Sequence, residues 1–298
     1  MFCVLLLQWC DMRFGIVFCD SCGIFQWFSY ICSCIVFLIL ILMSDIFISV
    51  ILILVAVLPA LVLMVYISRQ DHFNKEPLGM LLKAFFFGVL STLPAVLIES
   101  CLVLFTPGTP VLDGLFNGFC VAGFTEELCK CAFLLLAVWK SSHFDEYFDG
   151  IVYSAYVALG FACFENMGYV FMQDTLFGSL ATGTMRAVLS VPGHFLFGVV
   201  MGYYVALAKF EPRHRRRNLF RAVFYPMLLH GTFDSLLMIP ESFPMYRESI
   251  SVILFVVFIF FDIKMWKWGV RRIRVLQYLS HQQEADRNSV FKDFHWDV

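Results

Sequence analysis

The stretch Gly123-Phe-Thr-Glu-Glu-Leu-Cys-Lys-Cys-Ala-Phe-Leu-Leu-Leu-Ala-Val138 decides how this chain must fold. Its second half is an apolar run suited to a membrane, yet Glu126, Glu127 and Lys130 stand in its first half. An ionisable group at membrane depth costs about 2.5–3.5 kcal/mol on insertion scales. The same conflict recurs at Glu165 inside Ala158–Met172, at His194 inside Val191–Tyr204, and at His230 and Asp234 inside Met227–Ser235. Groups of this kind must be paired, hydrated or placed on a metal, so the expectation is a polar site within the bilayer.

The composition supports a membrane solvent. Of 298 residues, 60% are hydrophobic and only 15% charged. A soluble domain is nearer half apolar and a quarter charged, and one soluble core cannot bury the excess. The expected fold is all-α, a polytopic bundle of about seven to eight transmembrane helices. The net charge of −2 says nothing about nucleic acid, and with no basic domain or RNA-binding signature no nucleic-acid partner is expected. Of the eleven cysteines, Cys101, Cys120, Cys129, Cys131 and Cys163 stand in apolar surroundings, where Cys acts as a small hydrophobe. Cys19-Asp-Ser-Cys22 has zinc or redox spacing but no second ligand pair, so it reads as incidental.

A crossing needs about 20 apolar residues. The sequence places spans at 27–43, 46–67, 84–106, 117–139, 150–173, 186–209, 219–240 and 249–268, with a break at Ser44-Asp45 between the first two. Residues 1–42 form a hydrophobic extension. Met43 opens a fresh run and offers an alternative start, and the extension lacks the basic flank and cleavage pattern of a secretory signal. Basic residues collect after the second, fourth, sixth and eighth spans, with Arg213, Arg215, Arg216, Arg217 and Arg221 filling one loop. The intervening loops 107–116, 174–185 and 241–248 hold only Arg247. Basic loops stay in the cytoplasm, which puts the C-terminus and a short, polar, mobile tail there, in a multi-pass cell (inner) membrane.

With that orientation, Glu126, Glu165, His194, His230 and Asp234 all fall about 9–15 Å below the outer surface, at 1.5 Å per helical residue. Within helices, Glu126 and Lys130 are i, i+4, Glu127 and Lys130 are i, i+3, and Glu165–Tyr169 and His230–Asp234 are each i, i+4, so each pair shares a face. Taken singly, any of these residues reads as a polar clamp between helices; four helices with polar groups at one depth do not. Glu99 lies at similar depth and reads equally well as an interfacial acid, and Arg186 as an anchor for a helix end. Gly123, Gly160, Gly168, Gly198, Gly202 and Gly231 would let helices approach closely. This set of groups suits hydrolysis: a carboxylate can serve as general base on water, and two histidines with a carboxylate are ligand types for Zn²⁺ or another divalent metal. The HExxH and Gly-x-Ser-x-Gly patterns are absent.

These residues resemble the PrsW family of intramembrane proteases, itself similar to the CAAX-prenyl protease and Abi superfamily. Glu126-Glu127-Leu-Cys-Lys130 matches EExxK, Phe164-Glu165-Asn-Met-Gly-Tyr169 matches FExxxY, His194 with Arg186 ahead of it matches the histidine helix, and His230-Gly-Thr-Phe-Asp234 matches HxxxD. The resemblance covers about 43–270, leaving 1–42 as the extension and 271–298 as the polar tail. It implies an endopeptidase, metallo- or glutamic-type, that cuts a membrane-anchored protein near the outer membrane face. In such systems the substrate can be an anti-sigma factor whose first cut starts regulated intramembrane proteolysis. Lys130 stands where the prenyl-protease branch carries an arginine one residue later, which argues against prenyl-peptide specificity. The implied roles are Glu126 or Glu127 as base, with Lys130 supporting, His194 and His230 on a metal or the oxyanion, and Glu165 and Asp234 as ligands or orienters; a glutamic-type mechanism needs no metal. The alternative is a proton- or ion-coupled transporter or channel, which also places acids and histidines at depth, although no internal repeat supports it.

Overall fold

The computed structural model describes residues 23–71, 74–242 and 247–294, and among these every regular element is a helix. The chain divides into two compact units, Met1–Ile51 and Leu52–Val298. Helix α1 covers Gly23–Gln70 and runs without interruption through Ser44-Asp45, so the break expected there is absent. One polar pair exposes too little to end a helix whose backbone bonds are all internal. Cys19-Asp-Ser-Cys22 lies outside the described residues.

Helices α2 (Leu78–Leu102), α3 (Pro110–Phe116), α4 (Thr125–Val138) and α5 (Tyr147–Phe171) follow. The expected sixth span is two helices, α6 (Leu176–Val188) and α7 (Ser190–Phe210). The former begins in the supposed loop 174–185, where the Thr175 side chain caps it by accepting from the Gly178 N–H. Helices α8 (Arg215–Met238) and α9 (Arg247–Phe294) complete the chain. Residues 271–294, read as a polar tail, continue α9, and Ser280 there is fully buried.

Five helical runs among the described residues are long and apolar enough to cross a membrane: Ser44–Gln70, Leu78–Phe105, Tyr147–Phe171, Leu176–Phe210 and Glu248–Asp286. The count of seven to eight is not reached by this measure. The segments around Glu126–Lys130 and His230–Asp234 fall outside the set because their ionisable groups dilute the apolar character.

Burial separates the helices into an inner pair and an outer shell. In the apolar stretch of α5, 89% of residues are buried, against 33% in α2 and 11% in α9. Helices α5 and α7 pack on each other, with α2 against α5 and α8 against α7. Backbones meet closely at Gly150 and Gly202, where a Cβ on Gly150 would stand 2.7 Å from the Gly202 carbonyl oxygen. Gly168, by contrast, faces open space. The outer helices present large apolar side chains outward, such as Phe86, Leu93 and Leu97 on α2 and Val252, Ile253 and Phe260 on α9. Surfaces of this extent fit lipid rather than water.

At the end of the bundle away from Glu165, acidic residues gather where α5 begins. Asp149 accepts the backbone N–H groups of Asp145 (2.9 Å) and Glu146 (2.7 Å), closing a capping box. Tyr153 donates its hydroxyl to Glu76. Helix α9 docks on the same junction: Phe148 N–H donates to Ser280 Oγ at 2.8 Å, and Gln283 Nε2 to the Asp145 carbonyl at 2.9 Å. Burial pushes the carboxyls of Glu76 and Glu146 up from the ordinary 4.5 to about 7 and about 7. A carboxyl raised in the folded state holds its proton there and loses it in the unfolded chain, so its stabilising contribution is complete below pH 4.5 and is lost as pH rises through 7. The melting temperature in detergent should therefore fall between pH 5 and pH 8, and Glu76→Gln should flatten that slope. A melting temperature independent of pH over this window would contradict the assignment.

Candidate active site

The site begins in an irregular coil. Residues Asn117–Phe124 form a π-helix that runs straight into α4, a rare winding that recurs at functional sites. Glycine makes its contact with α8 possible. A Cβ on Gly123 would lie 2.9 Å from the Gly231 nitrogen, and one on Gly231 would lie 2.9 Å from the Phe119 Cα. Both obstacles are backbone and cannot swing aside. Gly231→Val should cost about 1–3 kcal/mol through overpacking and lower activity with it, read as a drop in melting temperature and in turnover of the same sample.

On this support the first turn of α4 carries Glu126 and Glu127, and its second carries Lys130. All three are buried, with Glu127 and Lys130 at 0% and 1% exposure. Lys130 Nζ donates to Glu126 Oε2 at 2.9 Å and Glu127 Oε1 at 2.8 Å, and lies 3.0 Å from His194 Nδ1 on α7. His194 Nε2 meets Glu165 Oε2 of α5 at 2.9 Å. This pairing makes Nε2 the donor and Nδ1 the acceptor of that ring. His230 of α8 sets Nδ1 2.9 Å from Glu127 Oε1 and Nε2 3.2 Å from Asp234 Oδ2. Four helices thus bring their ionisable groups into one hydrogen-bonded network, as the common depth in the sequence predicted. A buried charge is tolerated only when paired and hydrogen-bonded, and this network supplies both.

Aromatic rings wall the cluster. Phe197 stacks on His230 at 4.7 Å between centroids, and Lys130 Nζ lies 4.0 Å from the Phe161 centroid. The two imidazoles meet edge to face at 5.1 Å. These contacts fix ring orientation and lower the local dielectric, which strengthens every ionic contact within.

Glu126, Glu127, His194 and His230 each offer one ligand atom, and these atoms lie within 4.8 Å of one another. Among the described residues this is the group with the donors for a metal ion. Glu165 and Asp234, expected as ligands or orienters, lie outside this group and hold the Nε2 side of the two rings, while Nδ1 meets Lys130 in His194 and Glu127 in His230. Arg186 is more than an end anchor. Its guanidinium lies 2.9 Å from Glu165 Oε2, donates through Nε to Asn166 Oδ1 at 3.0 Å, and covers the Tyr169 ring at 4.0 Å. Tyr169 is therefore bound to the site through Arg186 rather than through its own hydroxyl. Sequence reasoning left Glu99 open; it stands in the last turn of α2, a helix that packs against α4 and α5, and makes no ion pair with the site.

The family model described as "PrsW family intramembrane metalloprotease" matches residues 76–262, which contain every group just described. A protein named Protease PrsW from Clostridioides difficile (strain 630) is 38% identical over 234 residues, covering 78% of this chain and 93% of that protein. Its namesake from Bacillus subtilis (strain 168) is 32% identical over 226 residues, covering 76% and 95%. The one from Geobacillus kaustophilus (strain HTA426) is 38% identical over 190 residues, covering 64% and 81%. No solved structure matches the chain. With the apolar helices and the matched region enclosing the glutamate, lysine and histidine network, these likenesses favour peptide hydrolysis over ion-coupled transport: the chain is a membrane protein and belongs to the PrsW family of intramembrane proteases, which are hydrolases.

Proposed function

We propose that the protein cuts a membrane-anchored protein near the extracytoplasmic face, with Glu126 as general base on the attacking water. The observation that carries this reading is the joining of two glutamates, a lysine and two histidines from three helices in one buried cluster. Glu126 keeps 6% exposure where Glu127 has 0%, which favours Glu126 as the carboxylate that meets water. Glu127 shares one oxygen between Lys130 and His230 and positions both. Glu126 takes a proton from water as the water oxygen adds to the scissile carbonyl. The Lys130 ammonium stabilises the oxyanion that forms, held in place by His194 Nδ1, whose ring Glu165 fixes from behind. The proton held by Glu126 then passes to the leaving amine as the C–N bond breaks.

The donor set also suits Zn²⁺ or another divalent cation. Glu126, Glu127 and the Nδ1 atoms of both histidines would hold it, and Glu165 and Asp234 would orient the rings from Nε2. When bound, such an ion polarises a carbonyl and makes water more acidic. Lys130 Nζ stands among the same atoms, so its ammonium and a metal cation compete for one place.

The basic loops support an orientation with the C-terminus in the cytoplasm and the site beneath the opposite face. The finer role proposed is the first cut of an anti-sigma factor-like regulator, supported by the family resemblance. The test uses purified protein in detergent with a single-span substrate. Cleavage should map near the extracytoplasmic end of the substrate span, and His194→Ala should lower it by about 10²-fold. A chelator that stops cleavage of a sample holding one divalent ion per chain assigns the metallo form. Cleavage that survives chelation without stoichiometric metal assigns the glutamic form. No cleavage of any single-span substrate would overturn the reading.

A further inference from the structure

One strongly charged surface takes no part in the site. Arg213, Arg215, Arg216, Arg217 and Arg221 crowd the start of α8, and Glu211 is the single acid between Asp174 and Asp234. Two of the local cations are tied inward. Arg215 donates through Nε to the Ala208 carbonyl at 3.3 Å and lies 5.6 Å from the Trp139 ring centroid, and Lys209 donates to the Trp139 carbonyl at 2.7 Å. Glu211 lies 3.8 Å from His214. Arg213, Arg216 and Arg217 are exposed and form no ion pair among the described residues. Residues 212–217 line one open cleft of about 480 Å³, which gathers these three side chains at a single mouth. Like charges this close repel one another, and an anion in the cleft would relieve them.

Beyond the cleft the same face of α8 turns apolar. Phe220 and Phe224 follow Arg217 at i+3 and i+7, positions that share its side of the helix. Phe220 is 65% and Phe224 37% exposed, and their rings stack at 5.3 Å between centroids. At 1.5 Å per residue they lie about 4.5 and 10.5 Å along the axis from Arg217. Guanidinium groups followed by bare aromatic rings repeat the order of a phospholipid, phosphate first and acyl chain after. A soluble anion would engage the arginines and have no use for the rings. Guanidinium groups bind phosphate oxygens through paired N–H bonds, and basic loops keep to the cytoplasmic side, whose leaflet carries the anionic lipids. We infer that this surface binds one anionic phospholipid, with Arg213, Arg216 and Arg217 around its phosphate and an acyl chain along Phe220 and Phe224. A zwitterionic headgroup brings its own ammonium to the same arginines and is rejected by like charge. The inference rests on the chain's placement in a membrane and stands apart from the protease reading.

The experiment titrates the full-length protein in neutral detergent with phosphatidylglycerol, phosphatidylcholine, inorganic phosphate or a soluble poly-glutamate peptide. Native mass spectrometry reads what is retained, with melting temperatures in parallel. Wild type is compared with the triple variant Arg213→Gln, Arg216→Gln, Arg217→Gln and with Phe220→Asn. A control triple, Lys267→Gln, Arg271→Gln, Arg274→Gln, removes the same charge from exposed positions on α9. Wild type and the α9 control should each retain one phosphatidylglycerol and melt higher with it. The arginine triple should bind it about 10²-fold more weakly, and Phe220→Asn about threefold more weakly. Equal losses in the two triples would reduce the effect to net charge and overturn the site. Equal retention of phosphatidylcholine, or a melting shift with inorganic phosphate that phosphatidylglycerol does not exceed, would overturn it as well. Retention of poly-glutamate in preference to lipid would mark a protein-docking face instead. Should the arginine triple fail to fold, Arg216→Gln and Arg217→Gln decide singly: each should weaken binding about fivefold, and wild-type affinity in both would overturn the proposal.

Discussion

Glu126→Gln should leave a folded protein that barely cuts: turnover of a single-span substrate is expected to fall by about 10³-fold, the range for loss of a general base. The amide keeps the shape of the carboxyl and an acceptor for Lys130, which now reaches Glu126 at 2.9 Å, so the melting temperature should stay close to wild type. Glu127→Gln should behave differently. That residue has both Lys130 and His230 on one oxygen, so its loss should lower stability and turnover together. The pair of variants separates base from scaffold. Turnover above about a tenth of wild type in Glu126→Gln would move the base elsewhere, and comparable damage to stability in both variants would remove the distinction.

The second large effect concerns Lys130. Its ammonium is 1% exposed and pairs with two carboxylates that are themselves buried. Lys130→Met fills the same space with no charge and leaves the carboxylates facing each other in a low dielectric. Removing one partner of a buried ion pair costs about 3–5 kcal/mol, and the same order is expected here. The combination Glu126→Gln, Glu127→Gln, Lys130→Met should regain most of that stability and none of the activity, since an uncharged cluster of similar shape is cheap to bury. Unfolding in detergent measures the first claim and the cleavage assay the second. If the triple variant is no more stable than Lys130→Met, the loss has a source other than stranded charge.

Much of the site was legible because its residues obey helical spacing. Glu126 and Lys130 one turn apart, and His230 and Asp234 one turn apart, form in the fold the pairs their numbers announce. Equal depth along separate helices foretold that α4, α5, α7 and α8 would meet. What escaped depends on rotation and on packing between distant segments. Glu165 and Asp234 read as ligands or orienters, a choice the sequence left open because it depends on the orientation of each imidazole, which sets them on Nε2. Arg186 read as an end anchor, yet the break at Leu189 brings it over Glu165, and Pro192, which cannot donate to the Val188 carbonyl, is the local signal for that break. The helices around the site were hard to count for the reason the site exists: the groups that do chemistry make those segments less apolar than the lipid-facing ones. The acidic junction of Glu76, Glu146 and Asp149 joins segments at least 70 residues apart in sequence, a distance over which no local pattern reports.

The π-helical segment Asn117–Phe124 sets the angular register of everything after it. An α-helix turns about 100° per residue, so tightening this wide coil by one residue would rotate the whole first turn of α4 by roughly that angle. Glu126, Glu127 and Lys130 would turn together away from His194 and His230 on the neighbouring helices. The wide winding of this coil is thus one of the conditions that set where the acid pair and its lysine face.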